Sequence, residues 1–176
     1  TSCDGERVGL CGDIVKSENG VVTIKNITSL CVRLPNDVSD LALPFFEKYC
    51  DKTKSVLVIS SPSQGKTTFL RDLGRLYSDR LGLNVLFIDE RDEFSASGKF
   101  YLGKNSDVLK YSDKTFGFQI GVRSMNPNVI ICDEIMSAED LSSCSFASHS
   151  GVKTIASVHS DSLKNLLKKK MFTEIF

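Results

Sequence analysis

Nine consecutive residues, Ser60, Ser61, Pro62, Ser63, Gln64, Gly65, Lys66, Thr67 and Thr68, separate an apolar run from a helix-periodic one. Their types suit phosphate binding. Such a site needs a strand, a tight turn of backbone amides and a helix N-terminus, whose unpaired N–H groups and dipole favour an anion. Gly65 would let the backbone approach closely and Lys66 would reach the terminal phosphates. Thr67 would offer its hydroxyl to magnesium, and Thr68 would begin packing the helix. Ser60 stands where the G-x-x-x-x-G-K-[ST] pattern has its first glycine, a position that mainly serves the turn out of the strand. Ser63 replaces a glycine common in such loops, where a positive φ is expected and a Cβ carries strain. Neither change removes a phosphate ligand. The triplet Gly-Lys-Thr is a weak signal by itself, because residue frequencies produce it in about one chain in ten of this length. A loop with a solvated lysine is the alternative.

Further apolar runs end in groups that such chemistry requires. In "NVIICDEI", Val129 to Cys132 lead into Asp133 and Glu134. The aspartate would hold magnesium, directly or through water, and Glu134 would polarise an attacking water as general base. Taken alone, the pair is equally a strand ending in solvated acids. "FIDERDEF" places Asp89, Glu90, Arg91, Asp92 and Glu93 after another run. Strand C-termini of an open parallel sheet converge on the ligand crevice, so Asp89 and Glu90 are expected to face the same nucleotide as Lys66 and Glu134. Asp92 is expected to be solvated. "IASVHSD" ends at His159, a sensor of the γ-phosphate or simply a structural cap. His149 is expected to be exposed on a serine-rich helix. Arg123, in "GVRSMNP", would contact phosphate, a neighbouring subunit or a surface acid.

These groups are positioned by alternating strands and helices. "SVLVIS", "NVLFID", "NVIICDE" and "VKTIASVH" read as four strands, the first continuous enough to be buried on both faces. Phe69, Leu70, Leu73, Leu76, Tyr77 and Leu81 recur at helical spacing. This rhythm predicts an α/β fold, a parallel sheet flanked by helices. Before it, "ERVGLCGDIV" and "GVVTIKNITSLCVRL" read as two strands joined by a turn at Glu18-Asn19-Gly20. "VSDLALPFFEKYC" reads as a helix interrupted or started near Pro44. The expected organisation is a β appendage over 1–36 and a core over 37–176.

Composition is that of a globular protein, 41% hydrophobic and 25% charged over 176 residues. The 22 basic and 22 acidic residues cancel, so no global field favours nucleic acid or an anionic membrane. The six cysteines form no C-x-x-C pair, which argues for reduced thiols rather than structural zinc. No signal peptide and no apolar run of membrane-spanning length is present. The lysines 164, 168, 169 and 170 suit a helix C-terminus. The polar start at Thr1 and the uncapped close "KKKMFTEIF" are read as signs of truncation.

The segments "ERVGLCG", "NITSLCVRL", "GKTTFLRDLGR", "FIDERDE", "VRSMNPNVIICDEI" and "SGVKTIASVH" together resemble the stage III sporulation protein AA family, ATPases related to type II and type IV secretion ATPases. The resemblance covers nearly the whole chain and implies a P-loop NTPase (RecA/AAA-like) fold. It places Lys66 and Thr67 in the phosphate loop, Asp89, Glu90 and Glu93 in a first acidic motif, Asp133 and Glu134 in a second, and His159 in a histidine box. It further implies ATP and Mg2+ as cofactors, a homo-oligomeric ring that is usually hexameric, and a membrane-protein partner in a channel complex. The location implied is the cytoplasmic face of the membrane in the mother cell. Ser60 and Ser63 depart from the family's glycine-rich loop. Family members also carry about a hundred further residues before "ERVG" and another strand after "FTEIF". Two alternatives to a hydrolysing motor stand at this point: a non-catalytic nucleotide-binding scaffold, and a DNA motor of the same fold drawing on the lysine cluster. Nucleic acid is not the expected partner.

Overall fold

β-branched and aromatic residues in short unbroken runs fit a pleated surface covered on both faces. A computed structural model describes residues 7–17, 20–34, 36–50 and 55–173. In it β3 (Val56–Ser60), β4 (Val85–Asp89), β5 (Ser106–Lys110), β6 (Val129–Cys132) and β7 (Lys153–His159) form one sheet in the order β3-β7-β6-β4-β5. Every pairing is parallel. The four strands expected from sequence are present. The fifth, β5, went unseen because "SDVLK" holds two apolar residues and follows the turn-like Gly103-Lys104-Asn105. β3 corrects another expectation: it pairs only with β7 among the described residues, and its side chains are half-buried rather than enclosed.

Side chains of successive strand residues point to opposite faces, and this alternation sorts the core into two layers. Val85, Phe87, Val129, Ile131 and Ile155 face α1 (Leu43–Tyr49) and α2 (Lys66–Leu81), where they meet Phe46, Leu70, Leu73, Leu76 and Tyr77. Leu86, Ile88, Ile130, Cys132, Ala156 and Val158 face the other way. They pack with Phe118 of α3 (Lys114–Ile120), Leu141 and Ala147 of α4 (Ala138–His149), Leu166 of α5 (Leu163–Leu166) and Phe172 of α6 (Lys170–Thr173). The helical stripe expected on α2 is realised, except that Leu81 in its last turn is exposed. α1 starts rather than breaks at its proline, which stands in the first turn where a missing N–H costs nothing.

β1 (Arg7–Ser17) and β2 (Gly20–Arg33) form a separate antiparallel hairpin, as the sequence predicts. Val8 pairs with Val32, Leu10 with Leu30 and Ile14 with Ile24, giving one apolar face. Residues 18, 19, 35 and 174–176, with Cys3, lie outside the described residues, and so do the turn and the chain end discussed above. The other five cysteines are free. No described helix is long and apolar enough to cross a membrane.

Helix α2 lies close to the sheet at Gly74. A Cβ there would stand 2.4 Å from both Ile131 Cδ1 and Phe87 Cζ. Gly74→Ala gains about 1 kcal/mol of helix propensity but overpacks the core at a cost of about 1–3 kcal/mol. The net expectation is a lowered urea midpoint with unchanged slope, measured by equilibrium unfolding.

Candidate nucleotide site

The loop Ser61–Gly65 carries β3 into α2, and its backbone leaves the ordinary range twice, at Ser63 (φ 62°) and Gly65 (φ 83°). The positive φ expected at position 63 is therefore present on a residue with a Cβ. Gly65 is the N-cap of α2, and no side chain caps that helix start. The starts of α3, α4 and α5 are capped by Asp113, Ser137 and Ser162. The first-turn amides of α2 thus remain available to an external acceptor, at the positive end of a helix of 16 residues.

Sheet parity explains which side chains meet those amides. Asp133, Ser157 and His159 share the odd-numbered parity of the residues facing α2. The Asp133 carboxylate accepts from Thr67 Oγ1, from Ser157 Oγ and from the Glu134 amide at 2.9 Å. Glu134 has φ 49°, and its amide is also within 3.0 Å of Ser157 Oγ, so the left-handed turn re-aims its side chain. The Glu134 carboxylate lies 2.6 Å from His159 Nε2 and 3.4 Å from Arg91 Nη1. His159 Nδ1 lies 2.7 Å from Lys66 Nζ. A charged Lys66 donates to Nδ1, which leaves the ring proton on Nε2 to be donated to Glu134. Lys66, 7% exposed, also donates to the carbonyls of Ser60 at 3.0 Å and Ser61 at 2.8 Å.

Lys66, Thr67, Asp133, Glu134 and His159 line one cavity of about 480 Å³ with Pro62, Ser63, Gly65 and Thr68. Its outer wall is formed by Leu34, Asn36, Arg71, Arg91, Asp92, Glu93 and Ala96. Ser60 ends β3 and Ser61 follows it, its Oγ donating to Asp161 at 2.8 Å, and neither lines the cavity. Gln64 is exposed and does not line the cavity.

The first acidic motif is arranged differently from the expectation. Asp89 is 2% exposed and accepts from the amides of Glu93 at 2.7 Å, Phe94 at 3.0 Å and Ser95 at 3.1 Å. It organises the loop after β4 instead of facing a ligand. Burial pushes its carboxyl above the usual range, against those three amides. Glu90, of opposite parity, turns to the α3 side and pairs with the buried Lys114. It lines a smaller cavity beside Asp133 and Glu134, not the large one. Asp92 is 5% exposed rather than solvated, and it accepts from Ser95 Oγ and Ser97 Oγ, both at 2.6 Å, and pairs with Lys110 at 3.0 Å. Arg123 lies in a π-helical turn, Gly121–Met125, and lines another cavity with Phe118, Glu139 and Phe146. Among the described residues it is not brought to the loop Ser61–Gly65. His149 is exposed, as expected.

Sequence reasoning missed Ser157 and Arg71. A signal for Ser157 was present, since it stands two residues before His159 in the same strand and shares its face. Arg71 gave none, because a cation one turn into a helix reads as a solvated face.

The chain matches the description "Sporulation stage III, protein AA" over residues 1–176. It belongs to that family. It is 34% identical over 174 residues to stage III sporulation protein AA of Bacillus subtilis (strain 168), an alignment covering 94% of the chain and 57% of the relative. The chain thus spans little more than half the length of that curated protein. Its fold is that of the secretion ATPases. The ATPase DotB of Legionella pneumophila superposes with a TM-score of 0.66 at 14% identity, covering 93% of this chain and 45% of DotB. The pilus retraction motor PilT, solved with bound ADP, gives 0.65 at 13% identity, covering 98% and 52%.

The pocket wall at Asp92 depends on ionisation. Burial opposes the charge, but hydrogen bonds from Ser95, Ser97 and Lys110 outweigh it and hold the carboxyl well below the usual carboxylate range. A depressed folded-state pKa stabilises the fold above the unfolded value, near 4, and that contribution is lost as the pH falls below it. Asp92→Asn, whose amide tolerates the φ of 55° at this position, is expected to cost about 2 kcal/mol at pH 7. Thermal unfolding from pH 7 to 3 checks this, with the wild-type advantage shrinking below about pH 4.

Proposed function

We propose that this chain is the ATP-binding and hydrolysing core of a motor in a sporulation channel apparatus. The observation that supports it is the convergence of Lys66, Thr67, Asp133, Glu134 and His159 on one cavity at an uncapped helix N-terminus. The amides at the start of α2 and the Lys66 ammonium bind the phosphates. Thr67 Oγ1 and the Asp133 carboxylate are adjacent hard oxygen donors, and no described cluster of three or more His, Cys, Asp or Glu residues forms a protein-only metal cage. That donor set fits Mg2+, which takes one or two protein oxygens alongside substrate phosphates and water. When bound, the metal neutralises charge on the phosphate oxygens.

Glu134 is the general base. Its left-handed backbone and its contacts with His159 and Arg91 direct the carboxylate into the cavity, and a strained residue of this kind persists where its surroundings over-determine it. His159 bridges the lysine that grips phosphate and the carboxylate that takes the water's proton, which suits it to report the γ-phosphate to the base. Glu90 is kept from the large cavity by its pairing with Lys114 and lines only the smaller one beside Asp133 and Glu134. Arg123 is assigned to contact with a neighbouring subunit, since it faces away from the cavity in its own chain. The working protein is a homo-oligomeric ring, hexameric as the family resemblance implies, attached through a membrane-protein partner at the mother cell's cytoplasmic face. Over the sequence, 1–36 forms an appendage and 37–176 the ATPase core.

Ser63, with a Cβ at φ 62°, favours the second reading, a nucleotide-binding scaffold without turnover. Phosphate release from ATP decides between the two in the full-length oligomer with Mg2+. Lys66→Ala and Glu134→Gln are each expected to lower the rate by about a hundredfold or more, with Glu134→Gln retaining ATP affinity. Undiminished hydrolysis in both variants overturns the assignment. Wild-type release no greater than that of Lys66→Ala, with ATP bound, establishes the scaffold.

A further inference from the structure

The segment "RDLGR", Arg71 to Arg75, follows the phosphate loop directly, yet its charges have no role in the hydrolytic chemistry above. All three hold the residues that lead from the hairpin into the core. Asp72, 4% exposed, accepts from the amides of Asp40 at 3.1 Å and Ala42 at 2.8 Å. Arg75 Nη2 bridges Asp40 and Asp72 at 2.8 and 2.7 Å. Arg71 reaches further along. Its Nη1 donates to the Asn36 carbonyl at 3.1 Å and lies 3.5 Å from the Asp37 carboxylate. Its Nη2 donates to the Glu93 carbonyl at 3.3 Å, and its guanidinium carbon lies 3.7 Å above the Phe100 ring.

This guanidinium is costly where it stands. Arg71 is 5% exposed, and its one ion pair within 4 Å among the described residues is long, to an Asp37 side chain that is 47% exposed. Its Nε is buried and has no hydrogen-bond partner among the described residues. A buried donor left unpaired costs about 1–3 kcal/mol, more when charged. The same residue lines the cavity that holds Lys66 and Thr67, together with Asn36 and Glu93, the two residues its other nitrogens hold. A buried cation with one weak ion pair, in the wall of an anion-binding cavity, gains a counter-charge when the ligand arrives.

We propose that Arg71 couples the occupant of the cavity to the segment 36–42: the second N–H of its Nη2 donates to an oxygen of the bound nucleotide while Nη1 and the first N–H of Nη2 hold Asn36 and Glu93 against the same ligand. Nucleotide binding then tightens the attachment of the hairpin's connecting segment to α2. The inference rests on the nucleotide reading of the cavity and adds a route by which occupancy reaches the hairpin.

Hydrogen exchange at the amides of Asp40 and Ala42 reports the attachment, because both donate to Asp72. ATP with Mg2+ is expected to slow exchange across 36–42 by about threefold or more in the wild-type chain. Arg71→Lys keeps a charge but lacks the guanidinium fork. It is expected to weaken ATP binding by about tenfold and to remove the slowing at saturating ATP. Inorganic tripolyphosphate identifies the acceptor: slowing by it assigns a phosphate oxygen, and slowing by ATP alone assigns a ribose oxygen. ATP binding that depends on Lys66 but leaves 36–42 unchanged in the wild type overturns this proposal and spares the nucleotide reading. Unaltered ATP affinity in a folded Arg71→Lys protein does the same. No ATP binding to the wild type overturns both.

Discussion

The Asp133 carboxylate fixes the relative position of three elements. One acid at the end of β6 accepts from Thr67 at the start of α2, from Ser157 in β7 and from the amide of Glu134. Remove it, and two hydroxyls and an amide near the sheet edge lose their acceptor while the start of α2 loses its anchor to the sheet. Carboxylates satisfied by several donors are held in one geometry, and everything bonded to them inherits it. Glu134 is one contact from this group, His159 two and Lys66 three.

A second constraint is the two-residue period of the strands. Odd positions in β4, β6 and β7 face α2 and even positions face α3 and α4. Asp133, Ser157 and His159 therefore collect where α2 begins, while Glu90 is sent across the sheet to Lys114. Asp89 has the favourable parity, but the chain after it folds back. Three amides of that returning loop take up its carboxylate before a ligand can. The loop after β4 is thereby held in the wall that Asp92, Glu93 and Ala96 present to the cavity. Arg71 joins that wall through the Glu93 carbonyl and gives the hairpin's connecting segment a place in it.

Much of this was legible in the residues. The strand-helix rhythm gave the parallel sheet, the Gly-Lys-Thr triplet at a strand-helix boundary gave the loop, and the acid- and histidine-tipped runs gave the other groups at the cavity. β5 escaped because two apolar residues do not make a periodic signal, and the half-buried state of β3 escaped because periodicity says nothing of a strand's place in the sheet. Asp92 was misjudged for a related reason. A charge run is ordinarily solvated, and only the fold supplies the two hydroxyls and the lysine that make burial of its charge favourable.

Local chemistry is written in the order of residues: which can turn with positive φ, which can cap a helix, which carry charge. The sequence by itself therefore determined the strand-helix rhythm, the loop at its first turn and the family of the chain. Which carboxylate faces the cavity, which is consumed by backbone amides and which crosses the sheet depend on strand parity combined with the path of the following loop. Those are long-range outcomes. The partners of Asp89, Glu90, Asp92 and Arg71 are set by packing between segments, so only the tertiary structure decided their roles.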